Sequence, residues 1–443
     1  MIGGYSMAKN YLIGIDIGSF FLKGVLFETD ENGNIVPISL SKLPVDGIIN
    51  GEIQDMESLR RSIETLIEKL NQESPKKVKN PEIIVGYSTN SLNITEENFT
   101  VEFSKRTEIR ENELRNIKKS VIKKYTDEGK IILDSNFVKF HIDEKRVKNP
   151  VSFFAEKSLT TTLNIVWVDE NSFSLLINVL KDIVYTSEIP IYDSTLSNSY
   201  IITTPNDRNV GITVIDFGYN SCRIIIFKEG IPKLFYTFPY GMKYVLQDIS
   251  NILKVSEREA HRLLEEEGAC SRETKVMKKV NFQLLTGSGY SYVPLSLLNK
   301  IIFARVREII SRLNGELSKI GYERTFEVGA LQGGIVLTGG GSKIRNIEST
   351  VKELMGENFR KSSIVSFDSF KNIPEELVKD PEFQSVFGLI ERYRIDLLEE
   401  NLNEKSRETR SESPKRSKPS NKTTTALKTF FKKITGGEEE DAL

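Results

Sequence analysis

The chain is poor in the residues that build disulfides, metal centres and many hydrolase sites. Its cysteines are Cys222 and Cys270, and its histidines are His141 and His261. Two cysteines cannot form a disulfide framework, and they fit a reducing cytoplasm. With so few of either residue type, neither a zinc site nor a Ser-His-Asp hydrolase is expected.

The sequence also lacks long apolar runs and an excess of charge of one sign. A membrane-spanning helix needs about 18 consecutive apolar residues, and no stretch of the sequence is that long. The first apolar stretch, Tyr11–Ile15, is interrupted at once by Asp16, which argues against a signal peptide. Lys and Arg number 61 and Asp and Glu 62, for a net charge of −1. This balance argues against a protein built mainly to bind nucleic acid.

What the chain does have is length and an internal echo. Its 443 residues correspond to about three domains and can bury a large core. About 200 residues apart, the same pattern occurs twice: an apolar strand that ends in Asp-x-Gly, followed by a return strand. The strands are Tyr11–Ile15 and Leu22–Phe27 around Asp16, and Gly211–Asp216 and Arg223–Phe227 around Asp216. This echo predicts a duplicated α/β domain.

The other segments predict a helix at Ser58–Leu70, a strand at Pro81–Val85 and a small α+β insert at residues 87–163 with a helix from Glu111 to Tyr125. Residues 241–329 are rich in helices, including Ala260–Glu267 and Leu295–Ile320. From Asn403 to Thr425 no large apolar residue occurs, so this segment is expected to be disordered.

The first Asp-x-Gly turn carries groups suited to a phosphate. Gly18 allows backbone N–H groups to approach an anion, Ser19 can donate a hydroxyl, and Lys23 can face the β- and γ-phosphates. Asp16 can hold Mg²⁺ through water. The alternative is an ordinary hairpin with a surface lysine.

Two further turns could join it. Asp216 and Gly218 repeat the pattern, although a purely structural turn remains the alternative. Gly339-Gly340-Gly341-Ser342 follows a strand at Gly334–Thr338 and precedes a predicted helix at Ile344–Met355, a position where a helix N-terminus favours phosphate. The alternative for these glycines is a flexible loop.

The order of these turns resembles the actin-like ATPase superfamily, which also holds sugar kinases and heat-shock chaperones. Within it, residues 9–395 are similar to the FtsA family of bacterial division proteins. The resemblance lies in the following stretches: Ile15-Asp16-Ile17-Gly18-Ser19, Gly47-x-x-x-Gly51-Glu52-Ile53-x-Asp55, Val214-Ile215-Asp216-x-Gly218, Pro239-Tyr240-Gly241-Met242, Val336-Leu337-Thr338-Gly339-Gly340-Gly341, and Asp380-Pro381-Glu382-Phe383 leading into Gly388-Leu389.

The resemblance implies actin-like duplicated domains around a cleft for ATP and Mg²⁺. It implies subdomain 1A at residues 9–86 and 164–204, subdomain 1C at 87–163, subdomain 2A at 205–240 and 330–395, subdomain 2B at 241–329, a disordered linker at 396–425 and a membrane-targeting tail at 426–443. Subdomain 1C is the part that takes part in filament contacts in this family.

It also implies site residues. Asp16 and Asp216 would serve catalysis and the metal. The cofactor-binding residues would be Gly18, Ser19, Phe20, Lys23, Gly218, Tyr219, Asn220, Arg262, Glu265, Gly339, Gly340, Gly341 and Ser342. Arg305 and Glu308, in subdomain 2B, would bind the C-terminal tail of FtsZ.

The chain departs from the family pattern at some of these positions. Tyr219-Asn220 stands where the second turn usually has more Gly and Thr, and a lysine often found near Leu264 is absent. In relatives an acidic or amide residue near Tyr192–Ser199 orients the hydrolytic water, and Asp193 is the one acid there. ATP binding with slow or negligible turnover is therefore expected.

The end of the chain predicts an amphipathic helix. Leu427, Phe430, Phe431 and Ile434 recur at i, i+3, i+4 and i+7, so they share one face. Such a face could bind a membrane weakly in one copy and strongly in a filament. The alternative is docking on the body of the protein or on a partner.

The expectation is thus a cytoplasmic, ATP-binding division protein, peripheral on the inner face of the membrane at the division site. It would polymerise, tether FtsZ filaments and meet other division proteins, without binding nucleic acid. The alternatives are a pilus-assembly relative of FtsA and a small-molecule kinase of the same superfamily. His261 and Cys270 are expected to be structural or incidental, and Trp167 is expected in the core.

Overall fold

A computed structural model describes residues 11–30, 33–76, 78–90, 92–184, 189–285, 289–319, 331–356, 358–365 and 368–411, with side chains up to residue 398. The strands are β1 Tyr11–Ile17, β2 Phe21–Thr29, β3 Ile35–Pro44, β4 Ile48–Ile49, β5 Glu52–Ile53, β6 Glu82–Tyr87, β7 Asn93–Glu102, β8 Thr107–Glu108, β9 Lys130–Ile142, β10 Lys145–Val147, β11 Phe154–Ala155, β12 Ser158–Asp169, β13 Ile191–Tyr192, β14 Ile212–Phe217, β15 Cys222–Lys228, β16 Ile231–Phe238, β17 Lys279–Gln283, β18 Tyr290–Pro294, β19 Ile335–Thr338 and β20 Phe359–Lys361.

The α-helices are α1 Met56–Glu73, α2 Glu111–Asp127, α3 Asn171–Lys181, α4 Ser194–Ile201, α5 Pro205–Val210, α6 Met242–Leu253, α7 Glu257–Arg262, α8 Leu295–Leu317, α9 Ile347–Met355, α10 Glu375–Lys379 and α11 Gln384–Ser411. A π-helical turn, Leu263–Glu267, continues α7, and a 3-10 turn, Gly340–Lys343, follows β19.

Two five-stranded sheets share one topology, which confirms the predicted duplication. The strand orders are β13-β6-β1-β2-β3 and β16-β15-β14-β19-β20. In each sheet a three-stranded antiparallel meander is extended by parallel strands beside its first strand. The turns that carry Asp16 and Asp216 therefore occupy equivalent positions at equivalent edges.

Apolar periodicity explains the helix that covers the first sheet. Leu59, Ile63, Leu66 and Leu70 form the buried face of α1, as their spacing predicts. Asp55 caps this helix through its side chain, which accepts from the N–H groups of the first turn. The helix at residues 58–70 is confirmed and extends by one turn or less at each end.

The insert folds as a separate layer. The sheet β10-β9-β12-β7 packs against α2 around its own apolar cluster. The predicted α+β character is confirmed, and β12 continues past residue 163, the predicted end of the insert. Trp167, on β12, is half-buried against this cluster, and its indole N–H donates to Thr95 Oγ1 at 3.0 Å.

Other predictions need correction. The helix predicted from Ile344 begins at Ile347, after the 3-10 turn. The helix predicted for residues 260–267 starts at Glu257 and becomes π-helical from Leu263. The predicted disorder of the linker is wrong up to Ser411, because α11 continues that far. Helix propagation costs much less than nucleation, so a packed helix can extend into a polar segment.

Within the described part of the chain, no helix combines the length and apolar content needed to cross a membrane.

Candidate functional site

A cavity of about 410 Å³ lies where the turns of the two duplicated hairpins meet. Its wall includes Asp16 from the β1–β2 turn, Asp216 from the β14–β15 turn and Gly339 from the loop after β19. The fold thus brings into one place the three motifs that the sequence places far apart.

The first hairpin holds a carboxylate and an ammonium group opposite each other. Asp16 and Lys23 are register partners on β1 and β2, and Nζ of Lys23 lies 2.7 Å from Oδ2 of Asp16. The turn between them is tight, since the N–H of Gly18 donates to the carbonyl of Phe21 at 3.1 Å. A Cβ on Gly18 would lie 2.8 Å from that carbonyl oxygen, so a larger residue would distort the turn.

The Asp16 carboxylate is the electrostatic centre of this hairpin. Its Oδ1 accepts from Ser194 Oγ at 2.6 Å, and its Oδ2 also accepts from Ser385 Oγ at 2.7 Å. Burial opposes ionisation, but Lys23 and the hydroxyls outweigh it and hold the pKa of Asp16 below its usual value. The pKa of Lys23 is raised despite burial, chiefly by Asp16. Both groups are therefore charged at neutral pH.

The second hairpin repeats the first with an arginine. Asp216 and Arg223 are register partners on β14 and β15, and the N–H of Gly218 donates to the carbonyl of Ser221 at 3.0 Å. Arg223 also lines the cavity and donates to the carbonyl of Ser88 at 3.1 Å. Arg223 was not among the predicted site residues, although it follows Asp216 by the same spacing that separates Asp16 from Lys23.

The environment of Asp216 differs from that of Asp16. Burial raises the pKa of Asp216, and the positive charges of Arg223 and Lys23 oppose this shift only in part. Its Oδ2 accepts from Thr195 Oγ1 at 3.1 Å. The cleft therefore contains one carboxylate that is firmly ionised and a second that a nearby cation would stabilise further.

A short polar helix, α4, forms hydrogen bonds to the aspartates of both hairpins. Ser194 contacts Asp16, Thr195 contacts Asp216, and the Asn198 amide donates to Thr338 Oγ1 at 3.1 Å. Nearly all its residues are buried. This helix was not predicted from the sequence, because its polar side chains face protein partners and leave no apolar stripe.

The glycine-rich loop serves the site in part. Gly339, with φ +79°, and Gly340 line the cavity. Gly341 packs instead against the Phe217 ring, where a Cβ would lie 2.5 Å from Cγ, and Ser342 Oγ donates to the carbonyl of Gly339 at 2.7 Å. Gly341 and Ser342 thus support the loop from outside the cavity wall, and their expected role in binding the nucleotide stays a prediction.

An ion cluster crosses the cleft beside this loop. Glu382 lies between Lys343 Nζ at 2.7 Å and Lys42 Nζ at 3.0 Å. Burial opposes ionisation of Glu382, and the two lysines more than compensate, so its pKa is lowered. Lys343 and Arg345 both line the cavity, which adds positive charge on the side of the second sheet.

Aromatic rings form another part of the wall, and here the expectation for His261 needs correction. His261 lines the cavity, and its ring stacks on Phe20 at 5.2 Å. Phe20 also stacks on Tyr219 at 4.4 Å. No apolar or charge pattern in the sequence marks His261, since its position depends on α7 approaching the first hairpin. Cys270 is buried beside Thr350, as a structural role requires.

Of the remaining residues that were expected to bind the cofactor, some lie in the cavity wall and others do not. Ser19 and Glu265 line the cavity. Asn220 and Arg262 are not in its wall, and Arg262 is instead paired with Glu259 at 2.6 Å and with Glu266 at 2.8 Å.

The residues of this cleft fit a magnesium nucleotide. Glycine turns admit the backbone to a phosphate, and Lys23, Arg223 and Lys343 supply positive charge around it. Within the described ranges, no group of three or more His, Cys, Asp or Glu could hold a metal ion without such a ligand. Mg²⁺ commonly combines one or two carboxylates with phosphate and water, so Asp16 and Asp216 suffice for that role.

Asp193 lies near the site but outside the cavity wall. Its Oδ1 accepts from the N–H of Leu196 at 2.8 Å, so it caps α4. Burial raises its pKa to about 6, against the opposing effects of the Leu196 N–H and Arg223. Its ionisation therefore costs stability at neutral pH.

We expect Asp193→Asn to stabilise the protein at neutral pH, because asparagine keeps the cap and carries no buried charge. A folded pKa above the unfolded value gives stability that is present in acid and is lost as the pH rises through about 6. The wild type should therefore lose about 2 kcal/mol relative to the variant between about pH 4 and pH 7. Urea unfolding of both proteins across this range measures the difference, and parallel pH profiles would contradict it.

Arg305 and Glu308 lie together on α8. Arg305 Nη1 is 2.8 Å from Glu308 Oε2, and its Nε is 2.7 Å from Asp248 Oδ2 on α6. Arg312 extends the group by pairing with Glu308 at 2.6 Å. The predicted membrane-binding residues Leu427, Phe430, Phe431 and Ile434 lie outside the described residues.

The comparisons with known proteins agree with this geometry. The family model "Cell division protein FtsA" matches residues 213–388. The chain is 24% identical over 399 residues to the cell division protein FtsA of Borreliella burgdorferi, covering 87% of this chain and 91% of the relative. It is 25% identical over 390 residues to the cell division protein FtsA of Bacillus subtilis, covering 86% of this chain and 82% of the relative.

Solved structures share the fold at low sequence identity. A PilM-PilN type IV pilus biogenesis complex matches with TM-score 0.54 and 15% identity over 86% of this chain and 98% of that one. MreB 5 of Spiroplasma citri bound to AMPPNP matches with TM-score 0.51 and 11% identity over 89% of this chain and 99% of that one. A MamK double helical filament matches with TM-score 0.50 and 12% identity over 87% of this chain and 99% of that one.

The duplicated sheets and the cleft between their hairpins form an actin-like fold, which the chain shares with these solved structures. In sequence, the chain is similar to FtsA cell division proteins over most of its length.

Proposed function

We propose that this actin-like division protein binds ATP and Mg²⁺ in the cleft, assembles into filaments and links FtsZ filaments to the cytoplasmic face of the membrane through its C-terminal segment. The observation that carries the nucleotide part is the meeting of two equivalent hairpins, each pairing an aspartate with a cation, in one cavity. The match to a structure that holds AMPPNP supports the same ligand.

The chain's own residues suggest how a nucleotide would act. Bound phosphate supplies negative charge that both hairpins can share. Lys23 from the first half and Arg223 and Lys343 from the second could neutralise it, which would draw the halves together. We propose that the closed form is the one that assembles, and support for assembly comes from MamK, a protein of similar fold that forms a double helical filament.

Hydrolysis should be slow or absent. Asp193, the acid in the segment where relatives orient the water, lies outside the cavity wall and caps α4. Asp16 already accepts from Lys23, Ser194 and Ser385 and is held ionised and ion-paired, which makes it a weak base toward water. We therefore propose that the nucleotide acts as a switch for assembly rather than as a rapidly hydrolysed substrate.

Membrane and FtsZ binding rest on the sequence pattern and the family. The apolar face formed by Leu427, Phe430, Phe431 and Ile434 would enter the lipid interface. The cluster of Arg305 and Glu308 on α8 would receive the FtsZ tail, for which Arg312 adds positive charge.

A co-sedimentation assay with liposomes, FtsZ and ATP tests these links. The full chain should carry FtsZ into the pellet, and removal of residues 426–443 should abolish this by preventing membrane binding. Arg305→Ala should pellet with liposomes but leave FtsZ behind. The matched control is Lys300→Ala, which removes an exposed cation of the same helix outside the Arg305 and Glu308 cluster and should behave as wild type.

Membrane binding that survives the deletion would overturn the role of the C-terminal segment. FtsZ recruitment that survives Arg305→Ala would overturn the assignment of the α8 cluster. Phosphorylation of a small molecule by the purified chain would favour the kinase alternative instead.

A further inference from the structure

An aromatic stack joins the two halves of the cleft at its rim. Phe20 belongs to the first hairpin, Tyr219 to the second hairpin and His261 to α7. The Phe20 ring lies 4.4 Å from the Tyr219 ring at an interplanar angle of 27° and 5.2 Å from the His261 ring at 17°. Phe20 therefore stacks on rings that both come from the opposite half. We name this group of three residues the aromatic clasp.

The clasp is held from several sides. The Tyr219 hydroxyl donates to Glu257, at the start of α7. Nδ1 of His261 lies 3.3 Å from Glu265 Oε2. The Phe21 ring meets the edge of the His261 ring at 5.8 Å. The contacts with Glu257 and Glu265 fix the partner rings on the second half of the protein, and the Phe21 contact crosses between the halves as those of Phe20 do. Movement between the halves must therefore break the contacts of Phe20 and Phe21.

The clasp also lies between the cavity and the solvent. Phe20, Tyr219 and His261 all line the cavity, and each side chain is partly exposed. The contacts between the rings therefore close this part of the wall toward the solvent. By contrast, the contacts at the base of the cleft, such as that of Thr195 with Asp216, are hydrogen bonds between buried groups.

We propose that the aromatic clasp holds the two phosphate hairpins together and slows both the association and the release of nucleotide. The proposal rests on nucleotide binding in the cleft, as proposed above. It gives a role to Tyr219, where relatives usually carry a small residue, and to His261, which no motif marks.

Nucleotide exchange measures this role directly. Stopped-flow fluorescence of full-length protein with the fluorescent analogue mant-ADP and Mg²⁺ gives both rate constants. Tyr219→Ala should speed association and release by about 2- to 10-fold, the range expected from loss of one stacked pair, and Phe20→Ala, which removes both stacks, should speed them at least as much. The matched control is Tyr290→Ala, which removes an exposed ring on β18 and should leave both rates unchanged.

Two features separate a clasp from rings that simply contact the ligand. Removing a ligand contact speeds release alone, whereas opening a clasp speeds association as well. In addition, the double variant Phe20→Ala/Tyr219→Ala should be no faster than Phe20→Ala alone, because Phe20→Ala already removes the stack with Tyr219. Phe20→Trp, which keeps a stacking ring, should restore slow exchange, and thermal melts confirm that each variant is folded.

Unchanged rates in folded variants, faster release without faster association, or effects that multiply in the double variant would each overturn the clasp while nucleotide binding stands. If wild-type protein shows no heat of binding with ATP or ADP and Mg²⁺ in calorimetry, the proposed function itself fails, and the clasp fails with it.

Discussion

Gly339→Ala should lower the free energy of unfolding by about 3–5 kcal/mol and abolish nucleotide binding. At φ +79°, a side chain is strained in this position, and the added Cβ would lie 2.2 Å from Asp216 Oδ1 and 2.8 Å from the Phe217 carbonyl. Asp216 is held by Thr195, so relief of the clash must displace the second hairpin or the loop. Urea unfolding and calorimetry with ADP measure the two effects.

Gly230→Ala is the matched control. Gly230 has φ +81°, nearly the same backbone strain, but no heavy atom lies within 4 Å of a Cβ built there. Gly230→Ala should lower the free energy of unfolding by only the roughly 1–2 kcal/mol that the left-handed conformation costs, and it should retain nucleotide binding. Equal losses in the two variants would show that the close approach to Asp216 does not matter.

Asp16→Asn should cost about 3–5 kcal/mol of stability, because it leaves the largely buried Lys23 without the carboxylate of its ion pair. It should also abolish binding of the magnesium nucleotide, because a carboxylate that would hold the ion is lost. Asn also loses the charge that accepts from Ser194 and Ser385. Since the pKa of Asp16 is lowered in the folded state, its contribution is present at neutral pH and is lost only in acid. The difference from wild type should therefore shrink as the pH falls through that pKa, which urea unfolding at several pH values measures.

A second variant separates stability from binding. Asp16→Asn/Lys23→Met removes both charges and should recover much of the lost stability, since no unpaired charge stays buried. It should not recover binding, because the cation facing the phosphates is gone. Glu57→Gln, which breaks an exposed pair with Arg60, is the control and should have no measurable effect. Recovery of binding in the double variant would contradict the role of Lys23.

Local patterns predicted the elements that build the two halves. The strands on either side of Asp16 and Asp216 and the helix over residues 58–70 follow from apolar spacing. The duplication was visible because both halves repeat Asp-x-Gly between buried strands. Among the predicted ligands, Asp16, Lys23, Asp216 and Gly339 meet in one cavity because equivalent turns of duplicated sheets face each other.

Other residues could not be placed from local patterns. The polar helix α4 is stabilised by partners from distant segments, among them Asp16, Asp216 and Thr338, so its own sequence lacks an amphipathic signal. Arg262 is next to His261 in sequence, yet it turns toward Glu259 while His261 faces Phe20. Which neighbour enters the cavity depends on the orientation of α7.

The sequence by itself determined the duplicated architecture, the aspartate at each turn and the glycines that let backbone approach a phosphate, because strand periodicity and turn chemistry act over a few residues. Only the tertiary structure decided which further side chains complete the cleft: Arg223 opposite Asp216, Lys343 beside Glu382, and the His261 ring stacked on Phe20. Their positions result from packing between two halves that are far apart in the chain, and no local preference encodes such contacts.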